Sequence, residues 1–207
     1  GVWLCKECEE KIVLVKTQVC PICGRIMKGG RFCSLDKEPK SLSGILVACY
    51  YDECPVKELI HNFKYNHILD LKNILSGMMV NALRENIVLD HQYLITAVPL
   101  HFLRKSQRGY NQAELLAEEI SIQLNLTKNF KIIKKNHQTK PQVLTEGKKR
   151  EKNLKNCFKI SSKINLHGRT IILVDDVTTT GTTLNECALV LRAAGAKEVW
   201  GLVIARG

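Results

Sequence analysis

Hydrophobic and polar positions follow two periods along most of this chain, and each change of period marks an element. Residues 44–51 are apolar and rich in β-formers, which predicts a strand. Residues 55–65 shift to helical spacing, with Pro55 early, where its missing N–H costs nothing. Residues 71–84 predict a second helix, with Leu71, Ile74, Leu75, Met78 and Met79 at helical intervals. The short apolar run 93–98 stops at Pro99 and reads as a strand. Residues 112–124 then form a helix with Leu115, Leu116, Glu119 and Ile120 in register. A short strand is expected over 130–133. The continuous apolar run ending at Val174 predicts a strand over 169–174 covered on both faces. Residues 183–194 give a helix with Leu184, Cys187, Ala188 and Leu191 on one face, closed by Gly195, and 199–205 give the last strand. Strands alternating with helices predict an α/β fold, a mostly parallel sheet with helices on both faces.

Two segments break this pattern. Residues 1–43 carry little apolar periodicity, end in the polar run Lys37-Glu38-Pro39-Lys40-Ser41, and read as a separate small module before a main domain at 44–207. So short a piece buries little core and needs a staple. Between Lys131 and Lys163 there are eleven Lys or Arg and only two acidic residues, without clear period. A loop of that length inside a compact domain is usually functional or disordered.

Composition narrows the partners. The formal net charge of +11 favours anionic ones: nucleic acid, acidic membranes or phosphorylated small molecules. No apolar run is long enough for a membrane span, and the start lacks the features of a signal peptide. Because Gly1 is not a Met, residues upstream are expected. Nine Cys, an odd number, five of them within the first 33 residues and most in CxxC pairs, argue against a disulfide framework and for a cytoplasmic location.

The most specific chemistry follows the strand at 169–174. Asp175 and Asp176 stand at its carboxyl end, where open α/β sheets bind ligands. Thr178, Thr179, Thr180, Gly181 and Thr182 come next and lead into a helix. Small residues, hydroxyls and consecutive N–H groups at a helix start make an anion cradle. Carboxylates repel a phosphate but accept hydrogen bonds from hydroxyls. A phosphate cradle beside hydroxyl acceptors describes a 5-phosphoribosyl group. A receiver-type Asp site would need its acidic residues after the first strand, and no GxxxxGK loop is present. The strand-to-helix turn after Pro99 concentrates Arg104, Lys105 and Arg108, whose guanidinium forks suit a second phosphate group such as a diphosphate. His101 in the same turn is a weaker acid–base candidate.

The run 171–183 resembles the signature of type I phosphoribosyltransferases. The resemblance implies that Asp175 and Asp176 bind the ribose hydroxyls and that Thr178 through Thr182, with Gly181, wrap the 5′-phosphate. More widely, Phe63-Lys64-Tyr65, Val98-Pro99-Leu100, Arg104, Arg108-Gly109-Tyr110-Asn111-Gln112, Thr139, Gln142, Leu144, Arg150, Asn153, Phe158 and the ending Val203-Ile204-Ala205-Arg206-Gly207 resemble the ComF-type competence family over nearly the whole chain. This implies a type I phosphoribosyltransferase-like parallel sheet flanked by helices, preceded by a zinc-binding module. It also implies a ligand, phosphoribosyl diphosphate, bound with Mg²⁺. Arg104, Arg108, Asp175 and Asp176 would be the catalytic set, and the process served would be DNA uptake in natural competence. The alternative is a non-catalytic factor of the uptake machinery that binds single-stranded DNA or acts as a scaffold while keeping the ligand site. The basic stretch suits either a lid over the diphosphate or contact with a DNA strand through Lys148, Lys149, Arg150 and Lys152.

Two CxxC pairs, Cys5/Cys8 and Cys20/Cys23, are eleven residues apart, the second in the knuckle form Cys-Pro-Ile-Cys-Gly. Four thiolates complete a tetrahedron, so these four are the expected ligands of a structural zinc. Cys33 is followed three residues later by Asp36, where ComF-type chains often carry Cys, so Cys33 reads either as a ligand in an alternative arrangement or as a relic.

Overall fold

The computed structural model describes residues 3–34, 40–51, 55–90, 92–100, 106, 108–135, 157–161 and 164–207. Its centre is a sheet of five parallel strands: β1 (Gly44–Tyr50), β2 (Tyr93–Ala97), β3 (Thr127–Lys128), β6 (Thr170–Thr178) and β7 (Glu198–Arg206). Their spatial order is β1-β7-β6-β2-β3. A separate antiparallel pair, β4 (Ile133–Lys135) with β5 (Phe158–Ile160), brackets the basic stretch. Residues 136–156 and 162–163, which hold most of that stretch, lie outside the described residues.

Alternation along the strands assigns each side chain to a face. Leu46, Ile95, Ile172, Val174, Leu202 and Ile204 face one layer with Phe63, Leu75, Met79, Leu116 and Ile120. Those partners come from α2 (Val56–Tyr65), α3 (Leu71–Asn86) and α4 (Gln112–Leu124). Ile45, Leu94, Ile171, Leu173 and Val203 face the other layer, against Leu184, Cys187 and Leu191 of α5 (Thr182–Ala193) and Phe158 of β5. Each such apolar side chain contributes roughly 1.5–3 kcal/mol on burial, so the two-faced sheet is the main source of stability.

The strand expected over 130–133 is not there. The sheet edge is instead the exposed pair Thr127–Lys128, and Ile133 belongs to β4. Ile132 and Ile133 are apolar because they enter the layer beside α5. A two-residue edge strand with both side chains exposed leaves no hydrophobic imprint.

The other edge is covered by the cysteine-rich segment, which contains α1 (Lys6–Glu10). Val15 donates its N–H to the Ala48 carbonyl at 2.9 Å, and Leu14 bridges Cys49 antiparallel. The Gln18 side chain then acts as a further strand residue. Its Nε2 donates to the Val47 carbonyl at 2.9 Å, and its Oε1 accepts from the Val47 N–H at 3.0 Å. Lower down, the Arg31 guanidinium lies 4.5 Å over the Trp200 ring and pairs with Glu198 at 3.3 Å.

Candidate functional site

Register explains why the acidic pair is open to a ligand. β2 pairs with β6 only as far as Ala97 opposite Val174; beyond it the Val98 carbonyl accepts from Asn111 Nδ2 and the Asp176 N–H donates to Asp175 Oδ1, so the ladder stops. β6 runs on with β7 alone through Asp175 opposite Val203 to Thr178 opposite Arg206. The two carboxyls therefore stand beyond the end of β2, beside the turn that follows it.

Their environments differ. Asp176 has the parity of Ile172 and Val174 and meets α2, where its Oδ1 lies 2.9 Å from the Lys64 Nζ. The two side chains are only 14% and 18% exposed. The same Oδ1 accepts the Val177 N–H at 2.6 Å. Asp175 has the parity of Leu173 and faces the α5 layer. Desolvation, and then the Asp176 charge, push its carboxyl up to about 8, although the Asp176 N–H, Lys64 and Lys135 pull the other way. Asp175 is therefore the member of the pair biased towards keeping its proton, and Asp176 is the member that faces the Lys64 ammonium.

The loop behind the pair is shaped by its own hydroxyls. Thr178 is buried, and its Oγ1 accepts the Gly181 N–H at 3.1 Å. Thr179 and Thr180 are exposed. Thr180 and Thr182 share a hydroxyl contact of 2.7 Å. Arg206 Nε donates to the Thr179 carbonyl at 3.1 Å, and the Gly207 N–H to that of Thr178 at 3.0 Å. Gly181 has φ +76°, a backbone conformation that calls for glycine, and a Cβ there would also come 2.9 Å from Ile45 Cδ1, the movable end of that side chain. The 12-residue α5 begins at Thr182, and its first N–H groups lack intrahelical acceptors. The sequence-predicted Thr178, Thr179, Thr180, Gly181 and Thr182 thus form one continuous loop, with Thr178 turned inward to shape it.

Across the site, Arg108 is held in place. Its Nη2 donates to the Tyr65 hydroxyl at 3.1 Å, its Nη1 to Gln112 Oε1 at 3.3 Å, and its guanidinium lies 4.8 Å over the Tyr65 ring. Asn111 caps α4 by accepting the Ala113 N–H at 3.1 Å, while its Nδ2 donates to the Val98 carbonyl at 3.0 Å. The Tyr110 hydroxyl donates to the Phe63 carbonyl at 2.5 Å. Arg104 and His101, expected in this turn, lie outside the described residues. Lys64, Tyr65 and Arg206 are the members that the chemistry of the motifs did not single out. Their signal was the resemblance alone, since Phe63-Lys64-Tyr65 and the ending through Arg206-Gly207 are among the residues that resemble the ComF-type family.

In the cysteine-rich segment, Cys20, Cys23 and Cys33 bring their sulfurs within 4.8 Å of one another. Cys23 Sγ and Cys33 Sγ are 3.4 Å apart. Burial alone would raise the Cys20 thiol, but N–H groups of Cys23, Cys33 and Ile22 outweigh it and bring it down to about 7. A cluster of thiols with backbone N–H groups aimed at sulfur fits a thiolate metal site. Of the expected set Cys5, Cys8, Cys20 and Cys23, the structure joins only the last two and adds Cys33. Cys5 and Cys8 lie at the start of α1 and stand outside the trio. Spacing identifies which thiols chelate as pairs; it does not say which pairs meet.

The parallel sheet, the acidic pair at its carboxyl edge and the Thr/Gly loop define the class. The chain belongs to the phosphoribosyl transferase domain family, whose profile matches residues 91–206. Within that class it is a homologue of ComF-type competence proteins. It is 32% identical over 221 residues to Competence protein F of Haemophilus influenzae, covering 96% of this chain and 95% of that one. It is 32% identical over 211 residues to the DNA utilization protein YhgH of Escherichia coli K12, covering 98% and 91%. With Competence protein ComFC of Bacillus subtilis it shares 28% identity over 200 residues, covering 93% and 79%. Among the described residues, no helix is long and apolar enough to cross a membrane.

Proposed function

We propose that the chain binds phosphoribosyl diphosphate at the carboxyl edge of its sheet and transfers the phosphoribosyl group to an acceptor in the service of DNA uptake. The observation that carries this reading is the continuous unit from Asp175 to Thr182: two carboxyls in different surroundings followed by a glycine-pinned Thr loop at a helix start. Asp176, and Asp175 beside it, accept the ribose hydroxyls. Thr179, Thr180, Thr182 and the first N–H groups of α5 hold the 5′-phosphate. Arg108, clamped by Tyr65 and Gln112, binds the diphosphate; Arg104, assigned the same role by the resemblance, lies outside the described residues. As the bond at ribose C1 breaks, positive charge develops on the sugar and negative charge on the leaving diphosphate. The contribution of the chain is to fix the ribose and stabilise the departing charge. A bound Mg²⁺ would supply further neutralisation of the diphosphate oxygens, for which the carboxyl-rich edge is chemically suited.

In the same reading, Cys20, Cys23 and Cys33 hold a structural zinc, and the chain divides into a cysteine module at 1–43 and the transferase domain at 44–207. The relatives' names, competence and DNA utilization, favour a second reading: a factor that keeps the ligand site and binds single-stranded DNA through the basic stretch. Calorimetry with phosphoribosyl diphosphate and Mg²⁺, followed by an assay of diphosphate release over a panel of bases and amines, separates the two. Transfer predicts release that disappears in Asp175→Ala/Asp176→Ala. Binding without release across the panel, with strand affinity that falls steeply as salt rises, supports the second reading. Absence of any binding to the diphosphate overturns the first.

A further inference from the structure

Three consecutive residues at the end of α2 are each tied to a different part of the site. The Phe63 ring is buried in the core, and its carbonyl accepts the Tyr110 hydroxyl. Tyr65 accepts from Arg108 and lies under its guanidinium. Between them, the Lys64 ammonium sits 2.9 Å from Asp176 Oδ1. The anchors on either side fix the helix end, so the reach of Lys64 is set by the fold.

A lysine enclosed to this degree loses most of its hydration. As a purely structural device an enclosed ion pair is a poor choice, because desolvating both charges offsets most of their attraction. The location is also unusual. Asp176 is a carboxylate expected to receive a ribose hydroxyl, and its Oδ1 already accepts the Val177 N–H as well as facing Lys64. A ribose hydroxyl must therefore join or displace the ammonium. An ammonium has three hydrogens, and contact with Asp176 needs only one of them. The ring hydroxyls lie one or two carbons from C1, the carbon that carries the diphosphate. A cation in contact with the hydroxyl acceptor is therefore within side-chain reach of an oxygen leaving C1.

We propose that Lys64 is a substrate-binding and specificity-determining residue that makes this site distinguish a ribose bearing a 1-diphosphate from bare ribose 5-phosphate. Before ligand arrives it neutralises Asp176. When a ribose hydroxyl takes that carboxylate, Lys64 turns its hydrogens to the anionic diphosphate. Ribose 5-phosphate, lacking that anion, competes with Lys64 for Asp176 and receives nothing in return. This inference rests on the phosphoribosyl reading above and goes beyond it by assigning selectivity to a residue outside the Thr loop and the Arg turn.

The test is calorimetry of phosphoribosyl diphosphate with Mg²⁺, and separately of ribose 5-phosphate, against the full chain and its Lys64→Met and Lys64→Arg variants. The expected result for Lys64→Met is a loss of roughly 10- to 100-fold in affinity for the diphosphate, the range for one charge-assisted hydrogen bond. Affinity for ribose 5-phosphate is expected to be unchanged or higher. Lys64→Arg, which keeps a cation, is expected to retain most of the selectivity. Equal losses for both ligands would make Lys64 a structural residue and overturn the proposal, as would no change for either. If the unsubstituted chain binds neither ligand, the phosphoribosyl reading and this proposal fall together. If Lys64→Met does not fold, ¹³C-methylation of the lysines in the unsubstituted chain supplies the answer. The Lys64 signal shifts with the diphosphate and not with ribose 5-phosphate if the proposal holds, and an identical response to both refutes it.

Discussion

Replacing Asp175 with Asn removes a carboxyl that the folded chain keeps protonated at neutral pH, and the effect on stability has a defined sign. In the native state the group releases its proton near pH 8, pushed there by desolvation and the neighbouring Asp176. In the unfolded chain it does so near pH 4. Between those values the native state binds the extra proton, so stability falls as pH rises through this window and is flat outside it. Each pH unit within it corresponds to about 1.36 kcal/mol. The full span would approach about 5 kcal/mol. Because the side chain keeps an opening to solvent and shares its charge with Asp176, a loss on the order of 2–3 kcal/mol between about pH 5 and pH 8.5 is the working figure. Asn has nothing to ionise, so Asp175→Asn escapes that loss and gains on the unsubstituted protein as pH rises. Urea unfolding of both proteins at the two pH values, without ligand, measures the difference directly. Parallel changes with pH, within about 0.5 kcal/mol, would refute the claim that Asp175 is held protonated. The same variant is expected to bind phosphoribosyl diphosphate more weakly, as stability and function diverge where a fold stores an unfavourable group.

Two further predictions test the loop and the metal. Gly181→Ala places a Cβ at φ +76° against Ile45 Cδ1, so a loss of about 1–3 kcal/mol in unfolding free energy is expected, together with weaker binding of ribose 5-phosphate. Wild-type affinity in a destabilised variant would show that the loop shape does not serve the phosphate. Removing zinc with a chelator is expected to lower Tm. Cys33→Ser is expected to reduce the zinc content measured by atomic absorption, as Cys20→Ser does, and an unchanged content in Cys33→Ser would show that the trio is not the ligand set.

Much of the fold is legible in the sequence because burial writes its period into the chain. The runs ending at Ala97, Val174 and Ala205 are strands covered on both faces, and their helices carry apolar stripes that match. The donor half of the site is legible for another reason: Asp175 to Thr182 are consecutive, so one loop holds all of its chemistry. What escapes is contact between distant segments. Nothing near Lys64 announces Asp176, and nothing near Gln18 announces the Val47 backbone that its amide completes. The exposed β3 pair escapes because a solvated strand needs no apolar pattern, and β4 and β5 escape because each is three residues long with a single buried apolar side chain. The pairing of Cys33 with Cys20 and Cys23, rather than of those two with Cys5 and Cys8, depends on how a short segment folds back.

The contact of Gln18, Leu14 and Val15 with β1 means that the chain supplies the cover for its own outermost strand. A row of unpaired amides and carbonyls on a parallel edge is a template for a neighbouring molecule. A chain trimmed before Gly44 would present Leu46, Val47 and Ala48 to solvent with their ladder half made, and self-association would compete with folding. Gly30 lies against the Ile45 carbonyl, and Ile45 Cδ1 lies against Gly181, so the covering segment packs on the same β1 residue that underlies the Thr loop. The sheet edge and the Thr loop therefore meet at one residue, Ile45, and a disturbance at either is felt by the other.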